Sequence, residues 1–179
     1  MTAPRAFAGL YTPGPLLGRE SPVLRALWIA PVVLSAETGA IYLLPASILP
    51  YALPTAHILL LPFLLLNLRF IGTRLILAGL MLNLLAMVAN GGLMPVEMSA
   101  VEAVGKHDNQ ELIVGDHIDG SKNVLLARED VRLRGLTDVI LLPVPQPFTR
   151  AVSLGDVAIV VGLAVIGTSL AWPRLRQPG

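Results

Sequence analysis

The chain has 179 residues, of which 54% are hydrophobic, 14% charged and 5% aromatic. A soluble domain carries about 25% charged residues, so this composition points to an integral membrane protein and excludes a disordered chain. A net charge of +1 creates no field to attract a polyanion, and the absence of cysteine excludes disulfides, thiolate metal sites and thiol catalysis.

Residues 1–22 contain Pro4, Pro13, Pro15 and Pro22 with Gly9, Gly14 and Gly18, and read as a flexible cytoplasmic lead. A bilayer-spanning helix needs about 20 mostly apolar residues. Stretches 23–44, 50–68, 74–93 and 154–172 meet that requirement. The first is the weakest, because Pro31, Ser35, Glu37 and Gly39 interrupt it. A secretory signal peptide is the competing reading of it, but the run is too long and no A-x-A site follows. Glu37 stands out there, since a carboxylate near mid-membrane costs about 2.5–3.5 kcal/mol. It either tilts to the interface or bonds to another helix, for instance at Asn83 or His57.

Pro45, Pro50 and Pro54 crowd the link between spans one and two, so these form a tight hairpin, and Pro62 is expected to kink the second. In the third span Gly79, Asn83, Ala86 and Asn90 fall within an arc of roughly 60° at helical spacing. The fourth offers Ala158, Gly162, Val165 and Ser169. Small residues allow close helix approach and amides hydrogen-bond across it. The stripe is therefore a packing seam or the wall of a small polar cavity. Asn90-Gly91-Gly92-Leu93-Met94-Pro95 ends the third span, with residue types that accept positive φ; it is a helix end or a backbone-lined binding corner.

Segment 95–153 connects spans three and four. A short helix from 97 to 104 is expected to lie on the membrane through Met98, Val101 and Val104. Residues 106–111 form a solvated loop, and 131–142 pack on the bundle or on headgroups until Pro143, Pro145 and Pro147 end them. Ser153-Leu154-Gly155-Asp156 is a capping box opening the fourth span.

Lysine and arginine set the orientation. Arg5, Arg19, Arg25, Arg69, Arg74, Arg174 and Arg176 fall on one side, whereas 95–153 carries six basic and nine acidic residues. Both termini, including the tail 173–179, are thus expected in the cytoplasm and 95–153 outside.

Two motifs invite chemistry and fail. Gly115-Asp116-His117-Ile118-Asp119-Gly120-Ser121-Lys122 has phosphate-loop spacing, but its Ser and Lys are in the wrong order and its aspartates repel phosphate. His107, Asp108, Asp116, His117 and Asp119 match no standard metal spacing. No GxSxG, HExxH or GxGxxG occurs, so no catalytic residue, metal or cofactor is assigned.

The run from Leu80-Met81-Leu82-Asn83 to Asn90-Gly91-Gly92-Leu93-Met94-Pro95 resembles the signature of a bacterial multi-pass membrane family, domain of unknown function 5317. Leu24-Arg25-Ala26-Leu27-Trp28, Leu136-Thr137-Asp138 with Pro143, and Ser153-Leu154-Gly155-Asp156 are similar to it too, extending the resemblance over residues 24–167. The family pattern differs at the start, where another apolar segment is expected, and at position 37, where a neutral amide is. The resemblance implies a bacterial inner-membrane location and no mechanism.

The expected fold is an all-α membrane protein of about four transmembrane helices, with an extracytoplasmic segment between helices three and four. Its partners are the lipid bilayer and, through small-residue helix faces, another membrane protein. A non-catalytic accessory or assembly subunit is the leading function. The alternative is small-molecule or lipid binding or transport at a polar pocket of Glu37, Asn83, Asn90, Gly91, Gly92, Asp138 and Asp156; a membrane enzyme ranks third.

Overall fold

A computed structural model describes residues 24–26, 28–104, 113–142 and 150–171. The 1–22 lead, the 106–111 loop, Pro143, Pro145, Pro147 and the 173–179 tail lie outside the described residues. Helices dominate: α1 (Ile29–Leu43), α2 (Leu49–Leu66), α3 (Ile71–Ala89), a short α4 (Met98–Val104) and α5 (Leu154–Ala171). Two of them, α2 and α3, are long and apolar enough to cross a membrane.

The first helix begins at Ile29, later than the expected residue 23. Ala26 has a φ of 52°, which no helix accommodates. The segment before α1 is instead held by Asn67, the C-cap residue of α2. Its side chain accepts from Arg25 N and donates to Arg25 O, both at 2.8 Å. Asn67 Nδ2 also donates to Phe63 O at 2.7 Å. An amide here imitates a strand backbone, so polar groups stay paired at a fully buried position.

The C-cap of α3 repeats the device. Asn90 accepts from Arg132 N (2.8 Å), donates to Arg132 O (2.9 Å) and donates to Ala86 O (2.7 Å). Gly91 follows with a φ of 83°, and Gly92 N donates to Met87 O at 2.7 Å, closing the helix as a Schellman turn. Pro54 has no N–H, so Pro50 O in the first turn of α2 has no helical donor. Gly92 packs against this carbonyl, and a Cβ there would lie 2.7 Å from the Pro50 carbonyl carbon.

The most extensive helix contact is between α3 and α5. Gly72 faces Gly162 and Gly79 faces Gly155, so the helices run antiparallel with four glycines at the seam. A Cβ on Gly72 would sit 2.5 Å from Gly162 O, and one on Gly162 would sit 2.6 Å from Gly72 O. Side chains at these places would force the backbones apart. The expected seam is therefore present, centred on α5 at Gly155, Ile159, Gly162 and Ile166, with Ala158, Val165 and Ser169 half-buried.

The segment after α3 is not purely helical, which amends the all-α expectation. Strand β1 (Met94–Val96) pairs in parallel with β2 (Asn123–Leu125), and β3 (Ile140–Leu142) pairs antiparallel with β4 (Arg150–Val152). A 3₁₀ turn spans Arg134–Leu136. Ala100, Val101 and Val104 of α4 are buried, and Ala100 and Val101 cluster with Val96, Ile118 and Leu125. This corrects the expectation of a helix lying on a membrane: its apolar face closes a small core of its own segment. A second core joins Leu49 and Leu53 of α2 to Ala86, Met87, Leu93 and Met94, tying this segment to the bundle.

Two glycine substitutions separate packing from propensity. Gly155→Ala meets Gly79 O and Asn83, and is expected to destabilise by about 1–3 kcal/mol as overpacking. Gly167→Ala meets open space and is expected to gain about 0.5–1 kcal/mol from helix propensity. Thermal unfolding of both variants in mild detergent checks the pair.

Candidate functional site

The loop-side ends of the helices carry a cluster of polar side chains. Ser153 caps α5: its Oγ accepts from Asp156 N at 2.9 Å, and Asp156 Oδ2 accepts from Ser153 N at 3.2 Å. This is the capping box expected from the sequence. It also fixes the Asp156 carboxylate beside α3. Asn83 Nδ2 donates to Asp156 Oδ1 at 2.7 Å, while Ser153 Oγ donates to Asn83 Oδ1 at 2.7 Å. One buried amide thus has both ends engaged with the first turn of α5.

Lys122 completes the cluster from the loop segment. Its Nζ donates to Asp156 Oδ2 at 3.1 Å and Oδ1 at 3.3 Å, and lies 3.9 Å from Asp138 Oδ1. Asp138 is only 2% exposed, and its Oδ2 accepts from Asn123 Nδ2 at 2.7 Å. Two backbone bonds hold these residues in place: Met94 N donates to Lys122 O and Asp138 N to Pro95 O. The small β1–β2 pair is what brings Lys122 and Asp138 over α3 and α5.

Charge decides the protonation states. Burial pushes the Lys122 ammonium toward its neutral form, but the carboxylates of Asp138 and Asp156 outweigh it and hold its pKa above the ordinary value; Glu37 acts the same way. Burial raises the Asp138 carboxyl above its ordinary value, against the pull of Lys122. Asp138 Oδ1 is buried and makes no hydrogen bond among the described residues.

Glu37 on α1 faces His57 on α2, with Oε1 3.8 Å from Nδ1. His57 Nδ1 is also 3.0 Å from Leu53 O, and a carbonyl only accepts, so Nδ1 carries the proton. Glu37 is half-buried and lies against His57 of another helix, one of the two partners expected, at a distance too long for a hydrogen bond.

Of the seven candidate pocket residues, Asn83, Asp138 and Asp156 meet around Lys122, with Glu37 close enough to act on it. The other three do not join them. Asn90 is spent on Arg132, Gly91 turns the chain in open space, and Gly92 abuts Pro50. These three form a helix end rather than a binding corner. In the sequence Lys122 belongs only to the failed phosphate-loop motif and Asn123 to no motif, because their partners Asp156 and Asp138 are 34 and 15 residues away. In the structure that loop folds on itself, with Ile118 N on Asn123 O and Leu125 N on Asp116 O. His117 bonds Ser121 O, and no three potential metal ligands converge among the described residues.

A second ion pair stiffens the loop segment. Arg134 Nε and Nη2 grip both oxygens of buried Glu97. The hydrogen bond from Arg134 lowers the Glu97 pKa despite burial.

The model of a family of unknown function, DUF5317, matches residues 21–167, and so includes every residue of the cluster. The chain belongs to this family. Neither the curated proteins nor the solved structures include a match. Within the matched region, the Asn83-to-Pro95 stretch divides into two tasks: Asn83 serves the charge cluster, and Asn90-Gly91-Gly92 serves the α3 terminus.

Removing the cation exposes the cluster's energetics. Lys122→Met leaves two carboxylates without their cation and is expected to cost about 3 kcal/mol at neutral pH. A carboxyl with a raised folded pKa contributes its stability below the ordinary value and loses it as pH rises through the folded value. Asp138 is such a group, and its pKa climbs further without Lys122. The variant should therefore regain stability as pH falls below neutral, as read by chemical unfolding at a series of pH values. Glu97 has the opposite sign. Its depressed pKa adds stability above the ordinary value that is lost as pH falls through the folded one. Glu97→Gln should be less stable than the parent at neutral pH, with the difference closing in acid.

Proposed function

We propose that this chain is a multi-pass protein of the bacterial plasma membrane, in which α1, α2, α3 and α5 are four spans. Both termini are cytoplasmic, and segment 95–153 forms a small extracytoplasmic unit clamped onto the outer ends of α3 and α5. Its role is that of a non-catalytic accessory or assembly subunit.

One observation carries the membrane reading. Among the described residues the two helices long and apolar enough to cross a membrane, α2 and α3, are each only 39% buried, whereas a core helix of a soluble protein is mostly buried. Ile58, Leu59, Leu65 and Leu66 of α2, Met81, Leu85 and Val88 of α3, and Val160, Val161 and Leu163 of α5 all face outward. Apolar surface on that scale needs lipid or protein to cover it. At 1.5 Å per residue the 15 residues of α1 reach about 22 Å, short of a 30 Å hydrocarbon core. Such a short helix fits by local thinning or by extending through the turn before Ile29.

The subunit role is supported by how the polar groups are used. Asn83, Ser153, Asp156 and Lys122 bond to one another and Asn123 bonds Asp138, and so they brace the fold rather than present free groups to a substrate. The alternative, binding or transport of a small molecule or lipid, draws on Asp138 Oδ1, which is buried without a hydrogen bond among the described residues, and on Glu37, which lies 3.8 Å from His57 Nδ1.

Two experiments test this reading. A reporter fused after Asn109 should be active outside the cytoplasm, and a cytoplasmic reporter contradicts the topology. Purification from the native membrane in mild detergent should bring along a stoichiometric protein partner. A lone protein carrying a lipid or metabolite contradicts the subunit role and favours the pocket, in which case Asn83→Leu should abolish function while the protein still accumulates.

A further inference from the structure

We propose that the β3–β4 hairpin is a membrane-interface element, with the exposed apolar residues of β3 embedded at the glycerol and acyl boundary of the outer leaflet. The inference rests on the membrane reading above and adds a lipid-contacting surface outside the four spans.

Residues directly opposite in an antiparallel pair project from the same face. The register pairs Leu141 with Ala151, Ile140 with Val152 and Leu142 with Arg150. Ala151 packs on the core of Val96, Ala100, Val101, Ile118 and Leu125, which ties β4 to the loop segment, while its partner Leu141 is 44% exposed. The other face carries Ile140, Leu142 and Val152 with one cation, Arg150. Ile140 and Leu142 are both 37% exposed, and Arg150 is exposed beside Leu142. An exposed two-stranded apolar surface in water invites edge pairing and aggregation. Lipid removes that hazard.

The depth follows from connectivity. Only Ser153 separates β4 from α5, and Ile140 pairs with Val152, so β3 begins about one strand spacing, roughly 5 Å, from the entry of α5. Exposed apolar surface then continues down α5 through Leu154, Val157, Val160 and Val161. The hairpin face and the helix face thus follow one another without a polar break other than the capping residues. Arg150 suits the boundary: it pairs in register with Leu142, and a long apolar stem lets a guanidinium reach lipid phosphate.

The chain has no cysteine, so Ile140→Cys, Leu142→Cys, Val160→Cys and Glu129→Cys each place a nitroxide at one known position. The full-length protein is reconstituted in nanodiscs of phosphatidylethanolamine and phosphatidylglycerol. Collisions with oxygen, which partitions into lipid, are compared with collisions with a water-soluble nickel chelate. Val160 reports lipid and Glu129 reports water. The inference predicts an oxygen-to-nickel ratio at Ile140 and Leu142 several-fold above Glu129 and approaching Val160. Water-like values at both hairpin sites with a lipid-like Val160 overturn the hairpin inference alone. Labels shielded from both reagents overturn it in favour of a protein covering. A water-like Val160 overturns the membrane reading and this inference with it. The two hairpin sites are read independently, so a misfolded single variant leaves the other to decide.

Discussion

A buried carboxylate costs several kcal/mol unless a cation meets it, and buried Asp138 faces Lys122, which also pairs with Asp156. That requirement joins the ends of α3 and α5 to parts of the loop segment that the β1–β2 pair already gathers. Lys122 comes from the loop before β2, Asp138 from the turn before β3, and Asp156 from the first turn of α5. Once the ion pairs form, the loop segment cannot slide or rotate on the bundle without stranding a buried charge. Buried ion pairs give modest net stability compared with apolar packing, yet removing one partner is severe. Their main effect here is to define one docking geometry.

That geometry depends in turn on how closely α3 and α5 approach. Gly155 provides both conditions at once: it lets Gly79 O come near and leaves room for Asn83 to reach Asp156. Any side chain at position 155 collides with both. Close packing and charge pairing are therefore one construction rather than two. The asparagines at the ends of α2 and α3 extend the same logic. Asn67 and Asn90 each satisfy an arginine backbone that has no sheet to join, and so fix the chain entering α1 and the loop near Arg132.

The parts of this arrangement set by local spacing were legible in the sequence. Gly79 and Asn83 lie on one helical stripe, Ser153 and Asp156 form a recognisable cap, and Asn90-Gly91-Gly92 marks a helix end. The partners of these residues were harder to read. Lys122 lies 34 residues from Asp156, within a run of polar residues that resembles any solvated loop. No periodicity records a contact of that range. The short strands were also hidden, because β1 is three buried residues, Met94–Val96, directly after a helix end and carries no alternation. The early start expected for α1 failed for a related reason: the sequence around Leu24 and Arg25 looks helical, but the Arg25 backbone is claimed by Asn67, which is distant in sequence.

The central claim is energetic: Lys122 and Asp156 act as one unit that holds the loop segment on α3 and α5. A double-mutant cycle of Lys122→Met and Asp156→Asn, read by reversible unfolding in detergent at neutral pH, measures it directly. The account predicts a coupling of about 1.5 kcal/mol or more, because the second substitution no longer strands a charge. Additivity within about 0.5 kcal/mol would mean the two residues act separately, and would contradict the clamp.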